Sequence, residues 1–248
     1  MKAEKIAVQV ENYLSRVKMV QYVRKDGTIS EFPAAKRGNP IYAYRNKRKL
    51  LDYKKGLLEG AADCSVMFIT LVIPGETSWY GCRDAWRAIS GALGPFIKNL
   101  RKMGLEKYIA TLEATGEGCS HAHILCRWDR RLQTNARKDK RYLAEKSLSK
   151  SIRERWGRAW AKVSELKLNS HAVSIRVCPN SAEAGRAFCY ATKHLGIWSD
   201  ITEPLRRVRN NKAAPHDSAK ILANYWARRL CIRLCRTSRG LGKVERFL

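Results

Sequence analysis

The stretch Glu113-Ala-Thr-Gly-Glu-Gly-Cys-Ser-His121-Ala-His123-Ile-Leu-Cys-Arg127 decides how this chain is read. Beyond its glycines the residues alternate in the manner of a strand, and side chains at i and i+2 on a strand point to one face. His121 and His123 can therefore reach one metal ion together. Gly116 and Gly118 predict a tight hairpin. A three-residue loop at 116–118 places Glu113 directly opposite His121, with Cβ atoms roughly 5 Å apart. Two imidazoles and a carboxylate then converge on one side of a sheet. That mixed donor set suits Mn²⁺ or Mg²⁺, ahead of Zn²⁺. Glu117, inside the loop, is the rival third ligand. A His-x-His pair alone is equally compatible with polar residues on a solvated strand, so the surrounding segments matter.

Upstream, residues 64–74 are nearly all apolar and end at Pro74-Gly75, which predicts a buried central strand. In residues 84–103, Trp86, Ile89, Leu93, Phe96, Ile97 and Leu100 recur at helical spacing. Gly94-Pro95 is expected to kink or interrupt that helix, and Gly104 to stop it. Residues 107–115 and 119–128 form the hairpin. Residues 143–163 carry Leu148, Ile152, Trp156, Trp160 and Val163, a second amphipathic helix. From His171 to Cys178 the chain alternates, with Val173, Ile175 and Val177 on one face and Ala172, Ser174 and Arg176 on the other. Asn180, with Glu183 three residues on, is a capping signal. It starts a helix expected to reach His194 and stop at Gly196. On this helix Phe188, Ala191 and Leu195 define a core-facing stripe, and Arg186, Tyr190 and Lys193 a neighbouring one.

The order β-α-β-β-α-β, followed by a helix, predicts an α+β fold: a ferredoxin-like, split βαβ antiparallel sheet over residues 61–200. Basic extensions flank it at 1–60 and 201–248. The first contains a helix-like pattern from Asn46 to Lys55 and a turn signal at Lys25-Asp26-Gly27.

Lys and Arg number 49 against 22 acids, a net charge of +27. Such an excess points to a polyanion partner, because basic side chains release counterions condensed on phosphates. The 45% hydrophobic fraction and seven tryptophans exclude a disordered basic tail. No run of 18 apolar residues predicts a membrane span, and the first residues lack a secretory pattern, so the cytoplasm is the expected location. The eight cysteines contain no Cys-x-x-Cys pair and read as free thiols. Cys231 and Cys235 are the closest two, with no second pair to complete a zinc site.

Phe68-Ile-Thr-Leu71, then His121-Ala-His123, then Tyr190-Ala-Thr-Lys193 resemble the three motifs of HUH-type rolling-circle replication initiators, across roughly residues 64–196. The order separates this pattern from relaxases, in which the tyrosine generally precedes the histidines. The resemblance implies that His121 and His123 bind a divalent cation and that a carboxylate on the neighbouring strand, here Glu113, completes the site. It implies that Tyr190 attacks a DNA phosphate, leaving a 5′-phosphotyrosine and a free 3′ end that primes replication. A tyrosine hydroxyl has a reference pKa of about 10. Lys193 could steady the phosphate or lower that pKa by its charge. Some relatives carry Tyr-x-x-Lys-Tyr; here the last position is His194, so the chain resembles a single-tyrosine enzyme and termination needs a second subunit or another nucleophile.

The function implied is nicking and rejoining of single-stranded origin DNA of a plasmid or phage. No Gly-x-x-x-x-Gly-Lys-Ser/Thr loop occurs, so a host or separately encoded helicase is expected, with a polymerase, as partner. A single-tyrosine transposase of the same superfamily would share the chemistry. A non-catalytic RNA-binding module would want stacking aromatics on its central strands, where this chain has histidines and a glutamate. Tyr225, near Arg228 and Arg229, is the rival nucleophile, and His171 and His216 read as ordinary surface residues.

Overall fold

The computed structural model describes residues 8, 12, 18–23, 29–34, 40–59, 65–73, 79–114, 120–137, 140–169, 171–192, 202–210, 212, 217–230, 232–233, 235–238 and 241. The elements are β1 (Lys18–Val23), β2 (Ile29–Ala34), α1 (Pro40–Leu58), β3 (Val66–Val72), α2 (Trp79–Arg101), β4 (Leu105–Ala114), β5 (Ser120–Trp128), β6 (Thr134–Arg137), β7 (Lys140–Leu143), α3 (Lys146–Ala161), β8 (Val173–Cys178), α4 (Ser181–Thr192), α5 (Thr202–Arg209), α6 (Asp217–Arg229) and β9 (Cys235–Thr237). The fold is α+β. β1 and β2 form an antiparallel pair around the Lys25-Asp26-Gly27 signal, whose own residues lie outside those described. The other seven strands form one antiparallel sheet in the order β6-β7-β8-β3-β5-β4-β9.

β3 sits in the middle of that sheet, as its apolar sequence predicts, and its burial is nearly continuous because both faces are covered. On one face Met67, Ile69 and Leu71 join Ile124, Cys126 and Trp128 of β5 and Val173, Ile175 and Val177 of β8. The apolar stripes of α2 and α3 close over them: Trp86, Ile89, Leu93 and Phe96, with Ile152, Trp156 and Trp160. On the other face the residues change character along the strands. One half is apolar, with Val66, Phe68, Ile109 and Leu125 beneath Leu57 of α1 and Ala184, Phe188 and Ala191 of α4. The other half carries Thr70, Thr111, Glu113, His121 and His123. The apolar half anchors α4, and burying Phe188 alone is worth about 1.5–3 kcal/mol.

The turn before β4 depends on Gly104, which adopts φ 111°. A Cβ there would collide with the Asp129 carboxylate, so both conformation and space favour glycine. At Asn180 the capping signal is realised: Oδ1 accepts from the Glu183 backbone N–H at 2.9 Å and starts α4.

Three features differ from the sequence expectation or extend it. Gly94-Pro95 does not interrupt α2, which runs unbroken from Trp79 to Arg101. The residues after the proline, Phe96, Ile97 and Leu100, are buried in the main core and hold the helix on course. The Arg236 guanidinium also donates to the Ser90 carbonyl and hydroxyl, both at 2.9 Å, bracing the turn before it. Next, the sheet is wider than the four strands expected: β6 and β7 extend one side, and β9 pairs with β4 on the other. Finally, described residues of the 201–248 segment pack onto the domain. Leu205, Val208, Ile221, Ala223 and Trp226 join the main core. Arg207 clamps the fully buried Asp217 through two hydrogen bonds of 2.8 Å.

Candidate metal centre and the adjoining tyrosine

The hairpin register is the one that brings the three predicted ligands together. β4 and β5 pair antiparallel with Glu113 opposite His121 and Ala114 opposite Ser120. Two pairs further along, Thr111 stands opposite His123, and His123 is opposite Thr70 on its other side. Glu113, His121 and His123 thus share the partly polar face, and their donor atoms all lie within 4.8 Å of one another. Glu113 Oε2 is 3.4 Å from His121 Nε2 and 3.6 Å from His123 Nε2. Donors bound to one ion at about 2.1 Å in tetrahedral arrangement lie about 3.4 Å apart. The two distances from Glu113 to the imidazoles fit such an ion. The group could hold a metal, and its chemistry of two imidazoles and one carboxylate admits a divalent cation.

Burial strengthens the assignment. Glu113 and His123 are each 2% exposed, while His121 is partly open to solvent. A carboxylate this deep requires compensating charge or hydrogen bonds. Thr70 Oγ1 lies 3.2 Å from His123 Nδ1. When Nδ1 carries the proton and donates it to Thr70, the Nε2 lone pair is left facing Glu113, the tautomer a metal ligand needs. Phe68 stacks on the same imidazole, with centroids 5.2 Å apart and 20° between planes. The sequence singled out the Phe68-Ile-Thr70 segment without giving it a role. The available signal is the period of two along β3, which turns Phe68 and Thr70 to the His123 face together.

Tyr190 comes to this face from α4. Its ring is edge-on to His123 at 5.2 Å between centroids and to Phe68 at 6.0 Å. It is nonetheless 50% exposed, so the hydroxyl-bearing side chain is reachable from solvent. Of the predicted stripes of α4, Phe188 and Ala191 face the core, joined there by Ala184, and Arg186 and Tyr190 face out. Lys193, Leu195 and the expected end of the helix at Gly196 lie outside the described residues, as do Glu117 and His216. Tyr225, the rival, packs with Trp226 against the core on the opposite face of the sheet. His171 is exposed in the turn before β8. Among the described residues, Cys82, Cys126, Cys178, Cys189 and Cys235 are free thiols. Burial pushes the Cys178 and Cys235 thiols up to about 12, so neither offers a thiolate at neutral pH.

No protein-family model, curated protein or solved structure matches this chain. None of the described helices is long and apolar enough to cross a membrane.

Proposed function

We propose that this protein nicks and rejoins single-stranded DNA through a covalent bond to Tyr190, as a replication initiator of the rolling-circle type. The observation that carries the reading is the meeting of Tyr190, from α4, with the Glu113–His121–His123 group of the β4–β5 hairpin. These segments are far apart in sequence and are brought to one face by the fold. The order of β8, β3, β5 and β4 in the sheet supports the split βαβ layout within which the three motif segments were read. The net charge of +27 supports a nucleic-acid substrate.

A divalent cation held by Glu113, His121 and His123 would polarise the non-bridging oxygens of the scissile phosphate. Tyr190 Oη attacks phosphorus, its proton passes to solvent or a nearby base, and the bond to the 3′ oxygen breaks. That oxygen leaves and is protonated as a 3′-hydroxyl. The phosphotyrosine conserves the phosphodiester energy, so the reverse attack reseals the strand without ATP. Thr70 and Phe68 keep the His123 ring in one orientation throughout, and the exposure of Tyr190 lets a strand approach from solvent.

The test is incubation with a labelled single-stranded oligonucleotide pool and Mn²⁺, followed by a denaturing gel. A protein–DNA adduct is expected, mapping to Tyr190 through a 5′ phosphate. Tyr190→Phe keeps the ring contacts, removes the attacking oxygen, and should bind DNA without forming the adduct. Tyr225→Phe should behave as wild type. Nicking without an adduct would make this a hydrolytic nuclease and end the covalent reading.

A further inference from the structure

Thr111 belongs to the polar row Ser174–Thr70–His123–Thr111 that crosses the sheet at His123, and it lies in none of the three motif segments. It is fully buried, and its hydroxyl donates to the Ala191 carbonyl at 2.8 Å. Ala191 directly follows Tyr190 and belongs to the last described turn of α4. The neighbouring Thr192 hydroxyl donates back to the Phe188 carbonyl at 2.7 Å, so it bonds within α4 and does not reach the sheet. Earlier in the helix, Ala184 and Phe188 hold α4 by apolar contact, which is not directional. Such contact resists lifting the helix off the sheet more than it resists a small rotation about the helix axis. Rotation matters here because Tyr190 sits on the stripe beside the anchored one. The Thr111 bond is directional, and its strand position is the lateral partner of His123. A single hydrogen bond thus joins the main chain beside the tyrosine to the strand beside a cation ligand.

We propose that Thr111 is a positioning residue, whose hydrogen bond to the Ala191 carbonyl sets the rotation of the turn of α4 that carries Tyr190 and holds the Tyr190 ring over the Glu113–His121–His123 site. Its catalytic consequence rests on the reading of Tyr190 as the nucleophile; its geometric consequence does not.

Two measurements separate these. The first is made without metal or DNA: nuclear Overhauser effects between the Tyr190 ring and the rings of His123 and Phe68, whose centroids lie 5.2 and 6.0 Å away. They should be present in wild type and in Thr111→Ser, and lost or weakened in Thr111→Val, which keeps the shape and removes the donor. The second is the single-turnover rate of adduct formation at saturating oligonucleotide. A misplacement near 1 Å can lower such a rate by about a hundredfold, so Thr111→Val should fall on the order of 10- to 100-fold, with oligonucleotide affinity unchanged. Thr111→Ser should restore the rate. Ile109→Val, on the same strand and face, controls for lost packing and should change neither readout. Should Thr111→Val fail to fold, Thr111→Ser against Thr111→Ala carries the same contrast. The proposal is overturned if the variant lacking the donor keeps the ring contacts, or if Ile109→Val reproduces its defect. If wild type forms no adduct while the ring contacts follow the Thr111 hydroxyl, the positioning role stands and the nucleophile reading falls.

Discussion

Replacing Glu113 by Gln tests the cation site directly, because it keeps the size of the side chain and removes its charge. The carboxylate is 2% exposed, and its Oε2 is 3.4 and 3.6 Å from the two imidazole Nε2 atoms. In EDTA the wild type holds a buried charge against desolvation. A neutral isostere is then expected to leave the melting temperature unchanged or to raise it. With Mn²⁺ at 100 times Kd, binding to the folded state contributes about 2.7 kcal/mol. At about 2–4 °C per kcal/mol for a chain of this size, the wild type should gain about 5–11 °C. If the substitution weakens binding about 100-fold, the same Mn²⁺ concentration contributes only about 0.4 kcal/mol, or about 1–2 °C. The two proteins therefore exchange rank: the variant is at least as stable in EDTA and clearly less stable in Mn²⁺. Calorimetric melts of both proteins in both conditions, without DNA, decide the matter. Identical wild-type melting temperatures in EDTA and Mn²⁺ would refute the metal reading. A full Mn²⁺ shift in Glu113→Gln would transfer the third-ligand role to another carboxylate, with Glu117 the first to examine.

Gly104→Ala should destabilise the fold by more than the 1–2 kcal/mol that a left-handed conformation costs a side chain, because the new Cβ also meets Asp129. Adding Asp129→Ala should recover the steric part only, read from urea midpoints. Asn180→Ala removes the cap of α4 and should cost about 1 kcal/mol by the same measurement, while Ser at that position should cost little. Binding of single-stranded DNA should weaken steeply with salt, with a log–log slope of about −3 or steeper, as expected when four or more phosphates are neutralised; a flat profile in fluorescence anisotropy would contradict a phosphate-led interface.

The parts of the fold legible in the sequence were those with local periodicity and enough apolar residues to sustain it. The β3 run, the β8 alternation, the stripes of α2 and α3 and the Asn180 cap each state their structure within a few residues. The site was legible for the same reason, since a period of two and one hairpin register suffice to place Glu113, His121 and His123. What stayed hidden depends on distant neighbours. β6, β7 and β9 are three or four residues long and polar or basic, and become strands only because an existing sheet offers them an edge. The continuity of α2 through Pro95 rests on core burial and on Arg236, far along the chain. The Thr111–Ala191 bond spans 80 residues and leaves no trace in local pattern.

The margins of the seven-stranded sheet bear on how the molecule behaves in a crowd. An open strand edge is a template for foreign strands, and short, charged edges are one way proteins blunt it. Among the described residues the outermost strands are β6, Thr-Asn-Ala-Arg, and β9, Cys-Arg-Thr. β9 covers Ile109, Ala110 and Thr111 in the middle of the much longer β4. In free solution the net charge of +27 keeps copies apart. A bound nucleic acid of the proposed kind would cancel that repulsion and gather copies along one polymer, where the brevity of the two marginal strands would still discourage edge-to-edge pairing into fibres.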